Sequence, residues 1–145
     1  MANREWSMAE LQSKAEAYCA AAEHCIYDVQ TKLRQWDATP EQSEQIVNRL
    51  CDAKYIDEAR YCHAFAHDKL QYQGWGRMKI RAALQARHLP ADCIRIALED
   101  IDETKYFCIL ERIIKQKKNA RPEQVIRFCL QRGFTLSEIR RFVTL

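Results

Sequence analysis

Cys62, Ala66 and Leu70 recur every four residues with Phe65 beside them, a spacing that lines one face of a helix. Ile80, Ala83 and Leu84 repeat that geometry further on, and Ile94, Ala97 and Leu98 do so again after Pro90. Three short amphipathic helices are therefore predicted between Asp57, a side chain suited to N-capping, and Glu99. Ile56 and Tyr61 flank the cap at staple positions, and Gly74 suits the left-handed conformation that ends a helix.

The pattern then returns. Tyr61-Cys62 matches Phe107-Cys108 at an offset of 46, and Ile80-x-x-x-Leu84 matches Ile126-x-x-x-Leu130 at the same offset. Ile94 and Leu98 match Ile139 and Val143 at an offset of 45. A weaker copy precedes both: Tyr18-Cys19 opens it, Val29-x-x-x-Leu33 follows, and Ile46, Val47 and Leu50 close it. Its first spacing is 10 residues, from Cys19 to Val29, where the later copies have 18. Thr39-Pro40-Glu41-Gln42 and Thr135-Leu136-Ser137-Glu138 read as capping boxes opening the third helix of their units, and Gly133 as the end of the helix before. The expected fold is all-α: three tandem three-helix repeats over residues 7–53, 54–100 and 101–145, the first atypical. Units that touch mainly their neighbours form an elongated array free to curve.

Composition supports this reading. With 145 residues, three glycines and three prolines, the chain has few helix breakers. No apolar run approaches the ~20 residues of a membrane span, and the first residues lack the apolar core of a signal peptide. Seven scattered cysteines without a Cys-x-x-Cys read as reduced core residues, so the cytoplasm is the expected compartment.

Charge changes the picture more. Residues 1–59 hold 6 Lys/Arg against 11 Asp/Glu, residues 60–95 hold 7 against 2, and residues 96–145 hold 10 against 7. An acidic first part and a basic remainder suit a partner with a charged surface. The candidate partner-binding residues are Lys69, Trp75, Arg77, Lys79, Arg81, Arg87 and Arg95 in the second unit. Lys115, Lys117, Lys118, Arg140 and Arg141 follow in the third. Trp75, on its glycine-flanked loop, reads either as an exposed anchor beside the cations or as a plug between two helices.

No constellation for catalysis emerges. His63 and His67 share a helix face at zinc-binding spacing, but Ala64 stands where a metalloprotease has its Glu. His24 and Cys25, adjacent on a helix, point about 100° apart and form no nucleophile–base pair. Asp57-Glu58 and Asp100-x-Asp102-Glu103 are explained by helix capping. Gly74-Trp75-Gly76 lacks the ending of a phosphate loop. No catalytic, metal or cofactor residue is assigned.

The ordered set Leu50-x-x-x-x-Tyr55-Ile56-Asp57-Glu58-x-Arg60-Tyr61, Lys69, Gly74-x-Gly76 and Ile80-x-x-x-Leu84 resembles the RecX family of recombinase regulators. The resemblance spans about residues 15–143. Cys62 stands where the family has Ala, and Arg87-His88 where Lys-Gly is common. The resemblance implies a non-enzymatic monomer that binds the RecA filament on single-stranded DNA. It implies restraint of the filament's ATPase, strand-exchange and coprotease activities, with weak direct DNA contact in some members. Two alternatives stay open: a helical DNA-binding module acting without RecA, and a helical-repeat scaffold for another protein.

Overall fold

The computed structural model describes residues 5–144. Among them are nine helices and no strand. α1 (Met8–Ala21), α2 (Ile26–Gln35) and α3 (Pro40–Asp52) form a first triplet. α4 (Glu58–Gln73), α5 (Arg77–Ala86) and α6 (Ala91–Glu99) form a second, and α7 (Glu103–Gln116), α8 (Pro122–Gln131) and α9 (Leu136–Ile139) a third. Caps fix these boundaries. The Asp57 carboxylate accepts from the Arg60 N–H at 3.0 Å, and Thr39 and Thr135 both close capping boxes.

The repeat register is more regular than the sequence suggested. The helix starts Glu58, Arg77 and Ala91 recur at Glu103, Pro122 and Leu136, each 45 residues on. The offset of 46 read from Ile126 and Leu130 is thus corrected by one residue. Val125 and Cys129 are buried where Ile80 and Leu84 are, while Leu130 is 47% exposed. Likewise Cys108 is exposed although Cys62 is buried. The first triplet keeps register too. Tyr18-Cys19 lies in the last turn of α1, not the first. Leu11, Ala15 and Cys19 are the counterparts of Cys62, Ala66 and Leu70, which restores the 18-residue spacing from Leu11 to Val29.

Each second helix ends in the same left-handed turn. Asp37 (φ 62), His88 (φ 59) and Gly133 (φ 97) occupy equivalent positions. The N–H after each returns to the second helix: Ala38 to the Leu33 carbonyl, Leu89 to Leu84, Phe134 to Cys129.

The apolar interior is divided. Leu11, Ala15, Cys19, Val29, Leu33, Ile46, Val47, Leu50 and Ile56 form a smaller core within the first triplet. A larger core runs unbroken through the second and third triplets, from Cys62 and Leu70 to Tyr106, Phe134 and Ile139. The last two triplets also meet backbone to backbone. The Gly76 N–H donates to the Arg132 carbonyl at 2.7 Å, and the Met78 N–H to the Gly133 carbonyl at 3.0 Å. A Cβ on Gly76 would lie 2.5 Å from the Gly133 backbone, and one on Gly133 would lie 2.5 Å from the Lys79 nitrogen. Only glycine permits that approach.

Candidate functional site

Trp75 lies between its two sequence readings, neither fully exposed nor fully buried. Its ring is half-buried against the larger core and meets Phe65 edge-on, with centroids 6.3 Å apart. The Lys69 Nζ stands 4.7 Å and the Lys79 Nζ 4.5 Å from its centroid. A tryptophan flanked by two ammonium groups is a compact cation–π cluster. It is assembled by the C-terminal end of α4, the glycine-flanked turn and the first turn of α5. Phe65 extends it, since Lys69 and the Arg87 guanidinium each lie 5.4 Å from that ring. Arg87, Phe65, Lys69, Trp75 and Lys79 thus make a continuous row.

A second cluster adjoins it at the junction of the last two triplets. Phe128 is flanked by the Lys117 Nζ at 4.2 Å and the Arg132 guanidinium at 4.9 Å. Arg132 also donates to the Gln73 carbonyl, two residues from Trp75. A groove beside it is lined by Tyr72, Gly74, Arg112, Gln116, Phe128 and Arg132. Tyr72 is 76% exposed. Sequence reasoning missed Tyr72, Arg112 and Arg132. For Arg132 a signal was available, because it directly precedes the glycine that ends α8.

The remaining sequence-selected cations separate by environment. Arg77 faces inward, its side chain only 20% exposed. Its N–H donates to the Tyr106 hydroxyl at 3.2 Å and its Nε to the Leu98 carbonyl at 3.2 Å. Its guanidinium reaches Glu103 at 2.7 Å and Glu138 at 3.7 Å and covers the Tyr106 ring at 4.1 Å. Arg87 pairs with Asp28 at 3.8 Å, Arg95 with Glu99 at 3.3 Å and Asp92 at 3.8 Å, and Lys115 with Glu111 at 2.8 Å. Arg141 stacks on Phe107 at 3.7 Å. Arg81, Lys118 and Arg140 are exposed. Together with Lys69, Lys79 and Lys117 they have no carboxylate partner within 4.0 Å among the described residues. Arg81 and Arg95 line one shallow groove between α5 and α6.

The groups weighed for chemistry have structural roles. His63 Nδ1 is 2.9 Å from the Ala59 carbonyl and Nε2 is 2.8 Å from Asp100. Both bonds form together only in the imidazolium. The Asp100 bond first, then the carbonyl, therefore raise the pKa of His63. His67 turns instead to Asp68. His24 stacks on Tyr18 with centroids 3.7 Å apart. Burial pushes the Cys25 thiol up to about 11 and the Cys62 thiol up to about 12, far from a reactive thiolate. Among the described residues no group of His, Cys, Asp and Glu is arranged to hold a metal ion. None of the described helices is long and apolar enough to cross a membrane.

Comparison with known proteins places this geometry. The family model for the second three-helix domain of RecX matches residues 57–98. The regulatory protein RecX of Pseudomonas entomophila (strain L48) is 30% identical over 132 residues, covering 86% of this chain and 84% of that protein. The RecX of Pseudomonas tolaasii is 31% identical over 136 residues, with the same coverage. The crystal structure of RecX from Lactobacillus salivarius superposes with a TM-score of 0.79 over 93% of each chain, at 16% identity. That likeness is one of fold.

Proposed function

Because the chain belongs to the RecX family of regulatory proteins, we propose that it binds the RecA filament on single-stranded DNA. There it restrains the filament's ATPase, strand-exchange and coprotease activities. It acts by contact, as a monomer, with no catalytic step of its own. The last two triplets serve as successive grips, each raising the effective concentration of the other.

One observation carries the location of the contact. The row Lys69–Trp75–Lys79 and the adjoining Lys117–Phe128–Arg132 cluster hold cations against aromatic faces and leave them without carboxylates. Such cations are pre-positioned, so they lose little side-chain freedom on meeting an acidic protein surface or a phosphate backbone. Arg81, Lys118, Arg140 and Arg141 extend the surface. Arg77 supports it from beneath by fixing α5 to the third triplet. Arg95 and Lys115, held by neighbouring carboxylates, contribute less. That pairing also weakens the reading as a base-recognising DNA module, since Arg95 is the sole cation on α6.

The test is the double reversal Lys79→Glu/Arg81→Glu, with Arg77 left intact. Co-sedimentation with RecA-coated single strands should weaken by about tenfold or more. Helicity by circular dichroism should not change. Unchanged co-sedimentation and unchanged inhibition of the ATPase would remove this surface from the account.

A further inference from the structure

The two junctions between triplets are built differently. Between the second and third, α7 packs on α4, the core is shared, and backbone bonds run through Gly76 and Gly133. Between the first and second, no helix packs closely along another among the described residues. The core is interrupted there. What crosses the seam is mostly charged. Arg60 Nε reaches Glu23 at 2.6 Å, Arg87 reaches Asp28 at 3.8 Å, and the Glu58 carboxylate accepts from the Ile26 N–H at 3.5 Å. An open groove runs along the seam, with Ala22 and Glu23 on one wall and Tyr61, Phe65 and Lys69 on the other.

The covalent crossing is equally slight. Ile56 is buried in the smaller core, and Asp57 already caps α4. The whole crossing is therefore the Ile56–Asp57 step. Arg60 clips this step, donating to the Lys54 and Tyr55 carbonyls at 3.3 Å each while holding Glu23. Cys25, fully buried at the N-cap of α2, is the one residue of the first triplet that belongs to the larger core.

We propose that the first triplet is a latched arm. It pivots about the Ile56–Asp57 step, the Arg60–Glu23 and Arg87–Asp28 pairs hold it closed, and Cys25 is the tooth that seats in the body. Ion pairs at a solvent-facing seam are individually weak and weaken further as salt rises. The arm therefore swings out as ionic strength increases, or as an anionic surface competes for Arg60 and Arg87. Opening removes the Asp28 carboxylate from Arg87, which already stands at the end of the cationic row along α4 and α5 and is then left without a carboxylate, like Lys69 and Lys79.

Cys25 reports the motion directly. Pulsed alkylation of the native full-length chain, read per cysteine by mass spectrometry, should label Cys25 faster as salt is raised from about 0.05 M to about 0.5 M. The Glu23→Gln/Arg87→Gln variant, which breaks both pairs and leaves the Asp28 cap over the Cys25 N–H intact, should label Cys25 about tenfold faster than the wild type at low salt, the sum of two weak pairs. Cys19, inside the arm, and Cys62 and Cys129, deep in the body, are the internal controls and should keep their rates. If the variant unfolds, all four accelerate together, and the salt series on the wild type decides. Cys25 labelling independent of salt, or rising only in step with Cys19 and Cys62, would overturn the latch.

Discussion

Single residues show where identity and role part company. Arg77 stands in a run of cations and reads from sequence as one more exposed charge. In the fold it binds Tyr106, Leu98, Glu103 and Glu138 at once. Its truncation to Ala removes the bond to the Leu98 carbonyl and both ion pairs, while Glu138 keeps the Tyr106 hydroxyl and the Thr135 N–H. The truncation should destabilise the chain by about 1–3 kcal/mol in urea unfolding. Reversal of exposed Arg81 should change stability by less than about 0.5 kcal/mol. His88 holds a left-handed backbone conformation without being glycine. His88→Gly should therefore raise stability by about 0.5–1 kcal/mol. His63 supplies a pH dependence. Its folded pKa lies above the ordinary imidazole value of about 6.5, so its stabilising contribution is complete below that value. The contribution is lost as pH rises through the raised value. Because the pair is exposed the effect is small, and His63→Gln should flatten that part of the stability–pH curve.

At the scale of elements, caps and periodicity carried most of the information. Asp57, Thr39, Thr135, Gly74 and Gly133 mark real helix ends, because each satisfies backbone groups locally, within four residues. Removing such a cap by Thr135→Ala should cost about 1 kcal/mol. Register was harder to read. Val125, Ile126, Cys129 and Leu130 are all apolar, and four such positions on one short helix do not say which stripe faces inward. The answer came from the fixed position of α8 against Gly76, a contact between residues far apart in sequence. In the first triplet, the small stripe Leu11-Ala15-Cys19 gave a weaker signal than Tyr18-Cys19 did. Gly76→Ala forces a Cβ to within 2.5 Å of the Gly133 backbone. It should destabilise the junction by more than about 2 kcal/mol, while Ala at an exposed helix site is nearly neutral.

For the whole molecule, the count of triplets was legible and the grouping was not. Sequence periodicity marks the first copy as weaker and atypical, but says nothing of how the copies share a core. The structure joins the last two through one core and leaves the first with its own. Calorimetry should accordingly resolve a smaller cooperative unit from a larger one, with Gly76→Ala lowering only the larger transition. The basic half of the chain was visible from composition, but not that Arg77 and Arg87 are engaged, since that depends on carboxylates supplied by other helices. In the proposed binding mode the molecule meets the RecA filament through the cation–aromatic surface of its last two triplets. Lysine acetylation read by mass spectrometry, with and without RecA-coated single strands, tests it most directly. Lys69, Lys79, Lys117 and Lys118 should become protected while Lys54, exposed on the first triplet's side, should stay reactive. Equal labelling of all five, or protection confined to Lys54, would contradict it.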